Sequence, residues 1–254
     1  MLTPFCVALQ FLTRIPVAVS ALEPRDVRRA ALYFPVVGAL IGLVLWAAHT
    51  LASALFPPLL ARSCVLAAGV VLTGALHLDA LCDTADGFFA SRERQRILDV
   101  MRDPHVGAIG TVTVALTLLL KQAALVSLSP SSVGPVLIAG AIASRSILLA
   151  ALFLPPARGN GFGFANAQHV SPAPLLSCTL GSMLAPLVLL GTPALPALLL
   201  AAIASGALLC MAYRRLGGMT GDVCGAAGEL AETGFWIGAS CIPWSGSALG
   251  AGAG

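Results

Sequence analysis

The sequence predicts an all-α, polytopic membrane protein, a bundle of about six to seven transmembrane helices preceded by an N-terminal interfacial or re-entrant helix. Three observations predict it. The 254 residues are 58% hydrophobic and 10% charged, against about 25% charged in soluble domains, and the mean hydropathy is +0.93. Apolar runs of spanning length recur along the chain. Arginine is concentrated in every second loop, the pattern that sets orientation in a bilayer. A net charge of +3, spread over loops, is too small to argue for a nucleic-acid partner, and none is expected.

Taken in order, residues 4–19 hold Arg14 and Pro16 and are short for a span, which predicts the interfacial or re-entrant helix. Spans are predicted near 35–55, 63–82, 106–127, 133–154, 175–192, 195–213 and 226–244. The fifth and sixth meet in a tight hairpin at Gly191-Thr192-Pro193, and the last carries Glu229 and Glu232. Loops 20–34, 83–105, 155–174 and 214–225 hold Arg25, Arg28, Arg29, Arg92, Arg94, Arg96, Arg102, Arg158, Arg214 and Arg215; the alternate loops hold only Arg62. The positive-inside rule places the first set in the cytoplasm, so every loop of chemical interest falls on one side. Residues 1–244 read as one catalytic membrane domain and 245–254 as a disordered tail. Cys6, Cys64, Cys82, Cys178, Cys210, Cys224 and Cys241 form no Cys-x-x-Cys pair and read as small hydrophobes, not zinc ligands or disulfides. No removable signal peptide is expected, since no basic n-region leads to a cleavage site.

The chemistry concentrates between Gly74 and Gly110. Asp79, Asp83 and Asp86 stand at i, i+4 and i+7, so a helix projects all three carboxylates from one face. Like charges stacked in this way repel unless a cation, most simply Mg²⁺, makes the cluster favourable. One such aspartate would read as a solvated helix end; three, followed by Gly87, point to a metal or proton role. His77 lies off that face and is either a functional partner or a satisfied buried histidine. Arg92 to Asp103 form an amphipathic segment, with Ile97, Leu98, Val100 and Met101 on its apolar side. Arg102 and Asp103 precede a turn made flexible by Gly107 and Gly110, and arginine is well suited to clamp phosphate. A second glycine-rich segment, Gly217-Gly-Met-Thr220-Gly-Asp222 to Glu229, follows Arg214-Arg215. It reads either as a phosphate loop with Asp222 on a cation or as a close-packed turn between helices. The strip Arg158 to Asn166 is equally two-sided. Lys121 lies toward the outer end of its span and can snorkel. Arg145 lies mid-span and must face the interior and a carboxylate or phosphate. Arg14 suits a headgroup or a substrate.

These residues resemble the cobalamin (5′-phosphate) synthase family of adenosylcobinamide-GDP ribazoletransferases. The likeness rests on Phe11-Leu-Thr-Arg14-Ile-Pro16, Phe34-Pro-Val-Val-Gly38, Thr73-Gly-Ala-Leu-His77-Leu-Asp79-Ala-Leu-Cys-Asp83-Thr-Ala-Asp86-Gly87, Met101-Arg102-Asp103 with Gly107, Lys121, Ser144-Arg145, and Gly217-Gly-Met-Thr220-Gly-Asp222 with Gly225 and Glu229. The family usually has glycine where this chain has Ala75 and Ala80, Cys82 is an unusual neighbour, and Pro104-His105 falls in a variable stretch that gives His105 no role. The resemblance implies a Mg²⁺-dependent transferase of the inner membrane with its site facing the cytoplasm. It would join adenosylcobinamide-GDP to α-ribazole or its 5′-phosphate, releasing GMP. It implies Asp79, Asp83, Asp86 and Asp222 as metal ligands, and Asp83, Asp86, Arg102 and Asp103 as the catalytic group. It implies His77, Arg14, Arg96, Lys121, Arg145, Thr220 and Glu229 as substrate contacts, with Lys121 and Arg145 facing the acidic cluster. Other late cobalamin-pathway enzymes are conceivable partners.

Asp83-x-x-Asp86-Gly87 also looks like part of the signature of CDP-alcohol phosphotransferases, but no later Gly-x-x-x-Asp-x-x-x-Asp follows. A lipid synthase of that kind is the second reading. A polyprenyl transferase would need a second Asp-rich motif, and the second loop offers only Asp222. A transporter would place its charges at the midplane and show internal repeats.

Overall fold

The structure is a computed structural model that describes residues 2–18, 23, 26, 29–151, 154–157 and 172–241. Helices follow one another along the chain: α1 (Leu2–Leu12), α2 (Phe34–Leu55), α3 (Pro58–Thr73), α4 (Leu76–Ala90), α5 (Arg94–Val100), α6 (Ala108–Ser127), α7 (Pro130–Ala151), α8 (Pro172–Leu190), α9 (Ala194–Leu216) and α10 (Gly221–Ser240). Among the described residues there is no strand, only an isolated bridge between Pro156 and Met219. The all-α membrane class predicted from sequence holds. The predicted strip Arg158–Asn166, the loop arginines Arg25 and Arg28, and the tail 245–254 lie outside the described residues.

Five helices, α2 and α6 to α9, are long and apolar enough to cross a bilayer, or six spans if α3 and α4 count as one broken span. Two sequence expectations change here. The span expected at 63–82 is two helices meeting at 86°. Gly74 (φ +63°) and Ala75 (φ +59°) are both left-handed, so the α3 ladder ends and the chain turns. The segment after α1 plugs this corner. Arg14 N–H donates to Leu72 O at 2.7 Å, and the Arg14 side chain fills the space a Gly74 Cβ would need. The last expected span, 226–244, is instead α10, which begins at Gly221 and carries Asp222, Glu229 and Glu232. It is not among the five.

The core forms around α7, with 78% of its apolar stretch buried against 28% for α6 and α9 and 22% for α8. Close approach makes this possible. A Cβ at Gly38 of α2 would lie 2.6 Å from Ala141 O, and one at Gly42 would overlap the Ile138 backbone, so α2 and α7 pack nearly backbone to backbone. Leu51, Leu119, Val188 and Leu199 point outward, uncovered by protein, as side chains facing lipid do.

Hydrogen bonds gather three of the arginine-rich loops on one face. Arg94 Nε donates to Leu216 O at 2.8 Å. Arg215 Nη1 donates to Phe88 O at 2.8 Å. Ala157 N–H donates to Met219 O and Met219 N–H to Pro155 O, both at 2.8 Å. Beneath them an apolar cluster including Leu81, Phe88, Ile97, Leu98, Met101, Leu216 and Met219 seats α4 and α5 on the bundle. At the other end Arg62 donates to Leu125 O (3.0 Å) and Leu128 O (3.2 Å). The one cation expected in the alternate loops thus caps the C-terminal end of α6.

Candidate active site

The acidic stripe lies on one uninterrupted helix, α4, which runs across the first turns of α6 and α10. Small residues set that crossing. A Cβ on Gly225 of α10 would come within 2.7 Å of Ala80 Cβ. The approach brings Asp222, in the first turn of α10, to the stripe. Its effect is visible at Asp83, whose carboxyl is pushed up to about 6, first by burial, then by the charges of Asp79, Asp222 and Asp86. Asp79 is exposed, Asp83 and Asp86 half-buried. Sequence spacing put Asp79, Asp83 and Asp86 on one helix face, and the structure brings Asp222 beside them. Among the described residues no three His, Cys, Asp or Glu side chains form a ready-made metal cage.

Asp86 has a second task that the spacing did not reveal. Its carboxylate accepts the Gly107 and Gly110 N–H groups, both at 2.8 Å, and so caps the start of α6 at the positive end of the helix dipole. A Cβ on either glycine would land on that carboxylate. The two glycines therefore serve close approach; the flexible turn expected from sequence is a fixed joint.

Asp86 also lines a recess of about 240 Å³ with Phe89, Asp103, His105 and Gly107. Asp103 accepts the His105 backbone N–H (2.9 Å) and pairs with ring Nδ1 (2.6 Å). Those bonds, the backbone one first, hold its carboxyl below the usual range. His105, given no role in the sequence reading, is therefore the residue that orients Asp103. Arg102 and Arg96 are exposed nearby and do not line the recess. Thr220 is used locally: its hydroxyl accepts the Val223 N–H at 3.1 Å as the N-cap of α10.

Inside the bundle the charges are arranged differently from expectation. Lys121 does not snorkel, and neither it nor Arg145 faces the acidic stripe. Lys121 Nζ is bonded to Glu229 and, at 3.1 Å, to Glu232; Arg145 is bonded to the other oxygen of Glu232. The ammonium also sits 4.9 Å from the centroid of the Trp236 ring. Two cations and two carboxylates cancel where lipid and protein offer no other partner. With His77 they line a cavity of about 40 Å³, a size for ordered water and not for a nucleotide. His77 Nε2, Arg145 Nε and Trp236 Nε1 are buried there without a protein partner. Glu232 is the residue missed by sequence reasoning. Its signal was the i, i+3 spacing from Glu229 in a largely apolar helix, set against Lys121 and Arg145, two cations within predicted spans.

Fold and site together define a polytopic helical membrane protein with a carboxylate cluster at one face of the bundle and a neutralised charge network inside it. The sequence profile of the cobalamin-5-phosphate synthase family matches residues 4–240. The adenosylcobinamide-GDP ribazoletransferase of Pseudomonas fluorescens Pf-5 is 41% identical over 240 residues, covering 92% of this chain and 98% of its own. That of Pseudomonas entomophila is 40% identical over 240 residues (92% and 97%), and that of Azorhizobium caulinodans 39% over 247 residues (91% and 92%). No solved structure matches the chain. The chain belongs to the cobalamin-5-phosphate synthase family.

Proposed function

We propose that this chain performs the reaction named for its relatives. It moves the adenosylcobinamide-phosphate unit of adenosylcobinamide-GDP onto α-ribazole or α-ribazole 5′-phosphate. GMP is released, and adenosylcobalamin or its 5′-phosphate is formed. Membership of the family over residues 4–240 is the observation that carries the reading, and it favours this enzyme over a CDP-alcohol-phosphotransferase-like lipid synthase.

In chemical terms a ribose hydroxyl attacks the phosphorus that bears the cobinamide arm. The new P–O bond replaces the bond to GMP, and the hydroxyl proton passes to a base. Asp79, Asp83 and Asp222 would hold Mg²⁺, with Asp86 beside them. This ion keeps several waters and takes one or two carboxylates together with substrate phosphates. When bound it supplies charge neutralisation on the diphosphate and the departing GMP. Asp86 and Asp103 wall the recess next to the stripe, where either can orient the incoming hydroxyl or take its proton. The joint between Asp86 and the start of α6 keeps that wall in place. The positive-inside rule puts the arginine-bearing face in the cytoplasm, the side where a soluble nucleotide would arrive. Association with other enzymes of the late pathway is part of the same proposal.

The test is direct. Membranes containing the protein are incubated with adenosylcobinamide-GDP, α-ribazole 5′-phosphate and Mg²⁺, and GMP and the completed corrinoid are measured. Product is expected, chelation of the metal should abolish it, and Asp83→Asn or Asp222→Asn should lower it by about 10²-fold. No product from the wild type, or undiminished product from both variants, overturns the proposal.

A further inference from the structure

Past the acidic stripe, the same helix leads into a region of opposite charge. Phe88, Phe89, Ser91, Arg92, Arg214 and Arg215 wall an open recess of about 740 Å³, and no carboxylate lines it. Its back is rigid. Arg215 donates to Phe88 O at 2.8 Å and to Ser91 O, and its guanidinium carbon stands 5.1 Å from the centroid of the Phe88 ring. These neutral partners use its donors and leave its charge in place. Arg92 and Arg214 are exposed. No hydrogen bond or ion pair to another described residue engages them, so both guanidinium forks are available.

Three arginines around one hollow repel each other, and an anion bound among them removes that cost. The planar fork fits phosphate oxygens in pairs. Position supplies the second argument. Phe89, 74% exposed, lines both this recess and the one holding Asp86 and Asp103. The basic hollow therefore adjoins the reaction site across a single side chain. A hollow of this volume holds a nucleotide-sized group.

We propose that this recess seats the phosphate monoester of the acceptor, while the acidic stripe with its cation serves the diphosphate of the donor. The inference rests on the transferase reading above and deepens it. The family's description speaks of a 5-phosphate product and the relatives' names of a ribazole acceptor; the arginine recess selects the phosphorylated form. A phosphate monoester carries roughly −1.5 to −2 at neutral pH and gains most from three uncompensated cations. A phospholipid headgroup is the other source of the same phosphate chemistry, and the experiment separates the two.

The protein is reconstituted into vesicles of phosphatidylcholine alone or of phosphatidylcholine with phosphatidylglycerol, and kcat/KM is measured for α-ribazole 5′-phosphate and for α-ribazole. In Arg92→Gln and Arg214→Gln the ratio of the two values should fall about ten- to a hundredfold, the worth of a charge-assisted hydrogen bond. It should do so in both kinds of vesicle. Inorganic phosphate should inhibit the wild type competitively against the phosphorylated acceptor and inhibit the variants less. An unchanged ratio overturns the phosphate seat. A variant effect confined to vesicles with phosphatidylglycerol, equal for both acceptors, assigns the recess to a lipid headgroup and overturns it equally. Failure of the wild type with both acceptors overturns the transferase reading itself.

Discussion

Two groups of carboxylates in this bundle are treated in opposite ways. Glu229 and Glu232, inside, each receive a cation from a neighbouring helix, and the network sums to zero. Asp79, Asp83, Asp86 and Asp222 lie together at the face, where burial first, and then the charges of its three neighbours, lift the Asp83 carboxyl to about 6. The difference teaches where each group can find compensation. A charge in the bundle interior must be neutralised by the protein, because nothing else is there. A charge at the face can be left for a ligand, and repulsion left in the free protein is released when a cation binds. The interior charges thus balance within the protein, and the face charges are those that the proposed function gives to a cation.

The comparison predicts opposite responses to two isosteric substitutions. Glu232→Gln leaves Arg145 without a carboxylate and Lys121 with only one, and should cost about 3–5 kcal/mol, the range for breaking a buried ion pair from one side. This is the largest effect expected, read as a lowered thermal unfolding midpoint in a fixed detergent or lipid nanodisc. Asp83→Asn removes one of several repelling charges, so its midpoint should stay level or rise while product formation collapses. If Asp83→Asn destabilised the protein as Glu232→Gln does, the stripe would be a structural network and the contrast would be lost.

Asp86 belongs to both categories and divides them most finely. It stands in the stripe, yet it caps α6 through two backbone N–H groups at 2.8 Å. Asp86→Ala should cost about 2–3 kcal/mol, since hydrogen bonds to a charged acceptor are worth about 1.5–3 kcal/mol. Asp86→Asn keeps one carbonyl oxygen for the joint, so it should recover much of the unfolding midpoint without recovering product formation. Equal stability of the Ala and Asn variants would show that the cap contributes nothing and return Asp86 wholly to the face group.

Much of this was legible in the sequence, for physical reasons that also explain the rest. Apolar run length alone places α2, α6, α7 and α9 closely, because a bilayer admits few alternatives to a spanning helix. The i, i+4, i+7 spacing placed Asp79, Asp83 and Asp86 on one face, and charge counting gathered the arginine-rich loops. The break at Gly74-Ala75 was not legible. Apolar composition runs through it unchanged, and only one of its two left-handed residues is a glycine. The pairing of Lys121 and Arg145 with Glu229 and Glu232 depends on how α6, α7 and α10 meet, which no local pattern reports. The capping role of Asp86 was hidden for the same reason, lying 21 and 24 residues from its partners.

That break offers the smallest test and the one most independent of chemistry. Ala75 is the only residue other than glycine with positive φ among those described, at +59°. The left-handed conformation costs an L-residue roughly 1–2 kcal/mol, whereas glycine adopts it freely but loses about 0.5–1 kcal/mol more backbone entropy on folding. The two terms leave Ala75→Gly between neutral and about 1.5 kcal/mol stabilising. The same corner lays α4, and with it the stripe, across the ends of α6 and α10. Relief of strain there should raise the unfolding midpoint slightly and leave turnover unchanged, since no carboxylate moves. A lowered midpoint would mean that the methyl group of Ala75 packs for more than its backbone costs. A changed turnover would mean that the angle of α4, and not only its carboxylates, is tuned at the face.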